Sequence, residues 1–299
     1  MKQRIITALI ATCVLIPNLI FSNTPLFLIS LAAASVLSIF EIARCVGLHR
    51  AYPLCIPLYA VAAAFPFITR YAGSFCDLFT VTGWEDLSTY AGDLQALRHY
   101  TLVAIMALML YVFAIMTFSK GKYKVTDVAV LFMASVYILF GLNGIIIMRD
   151  YRTGGEILYI TIFIGAWITD IFAYFCGMLF GRGGKHKLIP DVSPKKTVEG
   201  SIGGIIFCVL VMWAYGLLCT KLTSHESYLW FFAIGGFIAS IVAQVGDLLM
   251  SVIKRNYGIK DYGNIFPGHG GMLDRLDSVL AVSVALVAFS SFFEFFKGI

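Results

Sequence analysis

The chain has 299 residues, of which 60% are hydrophobic and 13% charged, about half the charged share of a soluble domain. That balance excludes a water-soluble fold and makes the bilayer the solvent for most of the chain. In such a protein the formal charge of +5 is first a signal of topology, so nucleic acid is not the expected partner.

Apolar windows run over residues 5–21, 25–40, 54–69, 100–118, 126–148, 157–180, 202–220, 228–250 and 279–296. The predicted fold class is therefore all-α, a polytopic integral membrane protein of about nine transmembrane helices. The first window follows Lys2 and Arg4 and resembles a secretion signal, but no small-x-small cleavage site precedes the next window, so it is read as a helix. None of the seven cysteines forms a C-x-x-C pair and most lie in or beside apolar runs, so neither a disulfide nor a thiolate metal site is expected.

With the amino terminus in the cytoplasm, 16 of the 22 basic residues fall on the cytoplasmic side. Only Arg70, Arg98, Arg149, Arg152, Lys221 and Lys297 fall outside, the bias of the positive-inside rule. The long outer loop, 70–99, holds a capping-box spacing in Thr82-Gly83-Trp84-Glu85 before Leu87, Tyr90, Leu94 and Leu97, which predicts a short helix on the membrane surface. Residues 1–150 otherwise read as scaffold helices with room for dimer contacts. Residues 151–299 carry the helices and polar loops with chemistry in them.

Two carboxylates interrupt apolar runs there, Asp170 and Asp247. A carboxylate at membrane depth costs several kcal/mol, roughly, unless it is partnered, so each is either a helix-to-helix hydrogen bond or part of a site. Ser240, Gln244, Asp247, Ser251 and Lys254 recur at helical spacing and share one face. Asp274 and Asp277, three apart, form a second acidic face on the next helix. The two faces meet near the inner interface, where their carboxylates would repel one another without cations between them. An all-oxygen set of this kind suits magnesium, and His269 is the only histidine nearby, which argues against zinc. His269 itself reads equally as a hydrogen-bonded loop residue or as a phosphate contact.

Two loops add the opposite charge. Residues 181–200 hold Gly181-Arg182-Gly183-Gly184-Lys185 and Ser193-Pro194-Lys195-Lys196-Thr197, and 254–271 hold Lys254, Arg255 and Lys260 among glycines. Either alone reads as a topology-setting loop; beside an acidic face they predict a metal-nucleotide site, glycines letting backbone approach phosphates that the cations neutralise.

Ser251-x-Ile253-Lys254-Arg255-x4-Lys260-Asp261-x-Gly263-x2-Phe266-Pro267-x-His269-Gly270-Gly271-Met272-x-Asp274-Arg275-Leu276-Asp277 resembles the complete signature of the phosphatidate cytidylyltransferase (CDP-diacylglycerol synthase) family. Ser193-Pro194-Lys195-Lys196-Thr197-x-Glu199-Gly200 and Asp170-x-x-Ala173-Tyr174 with Gly181-Arg182 resemble the same family, and the resemblance covers about residues 165–280. It implies a homodimeric enzyme of the inner or plasma membrane with its active site facing the cytoplasm. The enzyme would use Mg2+, with or without a second, monovalent cation, to join CTP to phosphatidate as CDP-diacylglycerol and pyrophosphate. On this reading Asp247, Asp274 and Asp277 hold metal, with Asp261 as a further ligand or neighbour. Lys195, Lys196, Ser251, Lys254, Arg255, His269 and Arg275 contact substrate, and Lys260 takes the leaving pyrophosphate. A CTP-dependent lipid kinase and a cation transporter lined by Asp170 and Asp247 stand as alternatives.

Overall fold

The computed structural model describes residues 12–71, 89–151, 154–181, 186–223 and 229–297. After a helical run over 12–20 come α1 (Pro25–Cys45), α2 (Tyr52–Arg70), α3 (Thr89–Phe118), α4 (Val125–Arg149), the short α5 (Gly155–Leu158) and α6 (Ile160–Phe180). A two-stranded antiparallel hairpin, β1 (Lys187–Ile189) and β2 (Ser193–Thr197), leads into α7 (Val198–Thr223), α8 (Leu229–Asn256) and α9 (Leu273–Lys297).

Seven stretches among the described residues are long and apolar enough to cross a membrane: α1, α2, α4, α5 with α6, α7, α8 and most of α9. The predicted window at 100–118 coincides with α3, whose apolar part is the shorter Val103–Phe118. The start of the first window, 5–11, lies outside the described residues, as does the capping box at Thr82–Glu85. From Thr89 onward the expected surface helix is continuous with the apolar segment in one helix of 30 residues.

In hydrocarbon every backbone polar group needs an internal partner, which is why these apolar runs are helices. The same demand governs exceptions. Pro57 inside α2 has no N–H for the Pro53 carbonyl one turn back; Tyr111 Oη on α3 donates to that oxygen instead, at 2.9 Å. Buried hydroxyls bond back along their own helices, Ser35 to Leu31 O at 2.9 Å and Thr169 to Gly165 O at 2.6 Å.

The chain forms two compact units, Met1–Leu139 and Phe140–Ile299. In the first, α2 packs against α1 and α3, and Arg70 donates to Asn23 Oδ1 at 2.9 Å. In the second, α7 packs between α6 and α8, α8 against α9, and α6 also reaches α8 and α9. Small residues set these distances. A Cβ on Gly200 would lie 2.5 Å from the Ala173 carbonyl oxygen and one on Gly204 3.0 Å from that of Thr169, so α7 runs against the backbone of α6. Gly165 of α6 and Ala239 of α8 approach equally closely. Asp170 and Asp247, on helices held this tightly, stand about 15 Å and 13 Å along the axis from the ends of α6 and α8, and so at similar depth.

Candidate active site

The predicted polar face of α8 exists: Ser240, Gln244, Ser251 and Lys254 are buried and Asp247 is half-buried. Upstream it joins α7, where Ser201 Oγ donates to Gln244 Oε1 at 2.5 Å. Downstream it joins α9 through Lys254, whose ammonium donates to Asp274 Oδ1 at 2.7 Å. These two side chains are 9% and 4% exposed, and a pair so deep holds only where the remaining polar atoms also find partners. On the carboxylate they do: Asp274 Oδ2 accepts the amides of Tyr262 at 2.8 Å and Gly271 at 2.9 Å.

Asp274 therefore fastens both ends of the α8–α9 loop to the start of α9. Tyr262, buried, adds a hydrogen bond from its hydroxyl to Met250 O at 2.9 Å and places its ring 5.3 Å under the Lys254 ammonium. Between these anchors Phe266-Pro267-Gly268-His269 makes a tight turn, with proline preset for its second position and Gly268 at φ +77° in its third. The turn closes through His269 N to Phe266 O at 2.8 Å. Its product is His269, whose Nδ1 is buried and has no hydrogen-bond partner among the described residues. Gly270, at φ +92°, stands where a Cβ would come within 2.8 Å of Asp274 Oδ2, so the clamp beside it dictates the first glycine of the His-Gly-Gly run.

The hairpin brings the second set of cations. Ile189-Pro190-Asp191-Val192 turns with Val192 N bonded to Ile189 O, and β2 presents successive side chains to opposite sides. Lys195 is exposed, while Lys196 turns inward and sets its ammonium 2.6 Å from Asp247 Oδ2 as an ion pair. At the base of β2, Thr197 Oγ1 accepts Gly200 N at 3.1 Å and caps α7. Asp247 Oδ1 also accepts from Ser251 Oγ at 3.4 Å.

Asp170, far upstream of the signature, completes the cluster. Ser278 Oγ on α9 donates to its Oδ2 at 3.2 Å. Its charge interacts with Asp247, Lys196 and Arg275, and Asp277 with Asp247, Lys254 and Asp170. Asp277 Oδ1 accepts Ser278 N at 2.9 Å. The acidic cluster thus consists of Asp170, Asp247 and Asp277, with Asp274 beside it engaged by the loop.

Of the other predicted residues, Lys260, Asp261 and Arg275 are exposed on the loop and the first turn of α9. Arg255 points to the hairpin, its Nε donating to Val192 O at 3.3 Å and its Nη1 to Ile259 O at 3.1 Å. Sequence reasoning noticed Asp170 as an interruption of an apolar run but left it out of the site, because nothing local connects it to α8 and α9.

Among the described residues no group of three or more His, Cys, Asp or Glu is placed to hold a metal by itself. Magnesium in general takes one or two protein carboxylates and completes its shell with water and substrate phosphates. Asp247 and Asp277 are an all-oxygen pair of this kind, flanked by cations that suit a polyphosphate.

The sequence profile of the cytidylyltransferase family matches residues 2–293. Proteins called phosphatidate cytidylyltransferase are similar over nearly the whole chain. One from Staphylococcus saprophyticus and one from Staphylococcus haemolyticus are each 32% identical over 284 residues, 94% of this chain and 96% of theirs. One from Staphylococcus aureus is 30% identical over 286 residues, with the same coverage. A profile spanning nearly every residue, together with a signature loop clamped between α8 and α9, makes the chain a member of the cytidylyltransferase family, membrane enzymes that transfer a nucleotidyl group from CTP.

Proposed function

We propose that this enzyme transfers the cytidylyl group of CTP to phosphatidate, giving CDP-diacylglycerol and pyrophosphate, at the cytoplasmic face of the cell membrane. One observation carries the reading: Lys196 from the hairpin, Lys254 from α8 and Arg275 from α9 surround one acidic cluster set into the cation-rich side of helices long enough to cross a bilayer. A lipid phosphate arriving from the bilayer and a nucleotide arriving from water would meet at such a place. The relatives' activity, as their names give it, is the same.

The reaction joins two anions. A phosphate oxygen of phosphatidate attacks the α-phosphorus of CTP, a new P–O bond forms, and the bond to the β-phosphate breaks with its electron pair leaving on pyrophosphate. A phosphate monoester has its second pKa at about 6, so the nucleophile is already largely dianionic and no base has to take a proton from it. Catalysis is then positioning and charge neutralisation. Lys196 and Arg275 line the acidic cluster and hold substrate phosphates against it. Lys195 reaches out from the hairpin toward the incoming triphosphate, and Lys260, exposed on the loop, receives the pyrophosphate. His269 directs its buried Nδ1 to a phosphate oxygen.

Asp247 and Asp277 would hold a magnesium ion, with Asp170 as their neighbour. Bound there, the ion supplies charge stabilisation on the phosphoryl oxygens. Lys254 and Asp274 keep the loop in shape around the cluster. As the family resemblance implies, the working form is a homodimer.

The test is product identification with CTP labelled in the α-phosphate, the purified full chain in lipid vesicles, and phosphatidate, diacylglycerol and a polyprenol as acceptors. Phosphatidate should yield labelled CDP-lipid and unlabelled pyrophosphate. Labelled CDP together with a phosphorylated alcohol would assign a lipid kinase instead, and cation flux without CTP would assign a transporter.

A further inference from the structure

We infer that Arg255 is a positioning residue: it fastens the tip of the β1–β2 hairpin to the α8–α9 loop, and through the hairpin it holds Lys196 at Asp247. The inference rests on the cytidylyl-transfer reading for what Lys196 does, and on geometry alone for the brace. In the sequence Arg255 is one more cation in a basic loop. In the structure its guanidinium spans two backbone carbonyls from different elements, Val192 O at the hairpin tip and Ile259 O just past α8.

Why the tip needs a fastener follows from the hairpin's size. β1 has three residues and β2 five, with an irregular register between Lys187↔Thr197 and Ile189↔Ser193. A two-stranded ribbon this short is marginal by itself. Its base is tied down by the Thr197 cap on α7; Arg255 ties the other end. A slip of one residue in β2 would exchange the outward Lys195 for the inward Lys196, and with it the ion pair at Asp247. Arginine suits the task because its planar fork offers donors in two directions, whereas a lysine ammonium at this position would serve as a single point of charge.

The experiment compares R255K, R255A, K196A and the double variant R255A/K196A as full chains in lipid vesicles. Hydrogen exchange over residues 187–197 is read without CTP, and turnover is read with CTP and phosphatidate. Losing the paired contacts should speed exchange across the hairpin about tenfold in R255A and in R255K alike. Turnover should fall by a similar factor in both, and R255A should cost nothing further once Lys196 is gone, because the two act in series.

Parental exchange and turnover in R255K would overturn the inference, since charge alone would then suffice. So would effects of R255A and K196A that multiply, which would place Arg255 on the substrate independently. Normal turnover in K196A would overturn the role given to Lys196 and the route from brace to chemistry. Hairpin exchange in R255A, measured without substrate, tells that failure apart from a failure of the brace.

Discussion

Asp247, Asp274 and Asp277 are alike in the sequence, three carboxylates on two helix faces, yet each has different surroundings. Asp274 accepts from Lys254 and from two loop amides at 4% exposure, whereas Asp247 pairs with Lys196 at 27% exposure. Replacing Asp274 with Asn leaves the Lys254 ammonium buried without its counter-charge, which should lower stability by about 3 kcal/mol. The same change at Asp247 removes the counter-charge of a less buried pair, 22% and 27% exposed, so that variant should lose less stability than the first while needing more magnesium for its residual turnover. Thermal unfolding in one detergent, with a magnesium titration of activity, measures both; equal stability of the two variants would refute the clamp. Mutual repulsion between Asp247 and Asp274, expected from spacing alone, is answered at each by a different lysine. That division was illegible in the sequence because it depends on where the amides of Tyr262 and Gly271 arrive after the loop has folded.

Helix periodicity made α8 legible, since five polar residues at spacings of three and four in an apolar run can only form one face. The hairpin was not legible: Lys187–Thr197 reads as a basic loop, its strands are too short to carry an alternation signal, and only the Pro190-Asp191 pair hints at a turn. Asp170 is likewise brought to the site by packing, through α6 lying backbone to backbone on α7. This contact makes its own prediction. A methyl group at Gly200 would meet the Ala173 carbonyl oxygen, a backbone atom that cannot rotate away, so Gly200→Ala should cost roughly 1–3 kcal/mol by overpacking. It should also depress turnover, because Asp170 and Lys196 move with the two helices. Ile202→Ala, two residues on at a position 53% exposed on the outer side of α7, should change neither. Parental stability in Gly200→Ala would mean that α6 and α7 are not in backbone contact there.

For the molecule as a whole, composition and the spacing of apolar runs made a helical membrane protein evident, and charge makes a prediction of its orientation. The ends of α6 and α8 and the starts of α7 and α9 share one side, because the hairpin joins the first helix pair, the clamped loop joins the second, and Arg255 and Lys196 tie hairpin to α8. That side carries most of the basic residues in the second half of the chain, and the positive-inside rule predicts it to be the cytoplasmic one. Single cysteines at Lys122, Lys187 and Asn264, each exposed, should therefore react with a membrane-impermeant maleimide only after the cytoplasmic face is opened. The measurement needs a background in which the seven native cysteines are replaced by alanine or serine. One at Asp150, exposed at the end of α4, should react in intact cells. Neighbouring sites on one side must agree, so Lys187 and Asn264 labelling from opposite faces would contradict the fold itself. Labelling of both from outside would leave the fold standing and separate the acidic cluster from CTP, which would sink the proposed reaction.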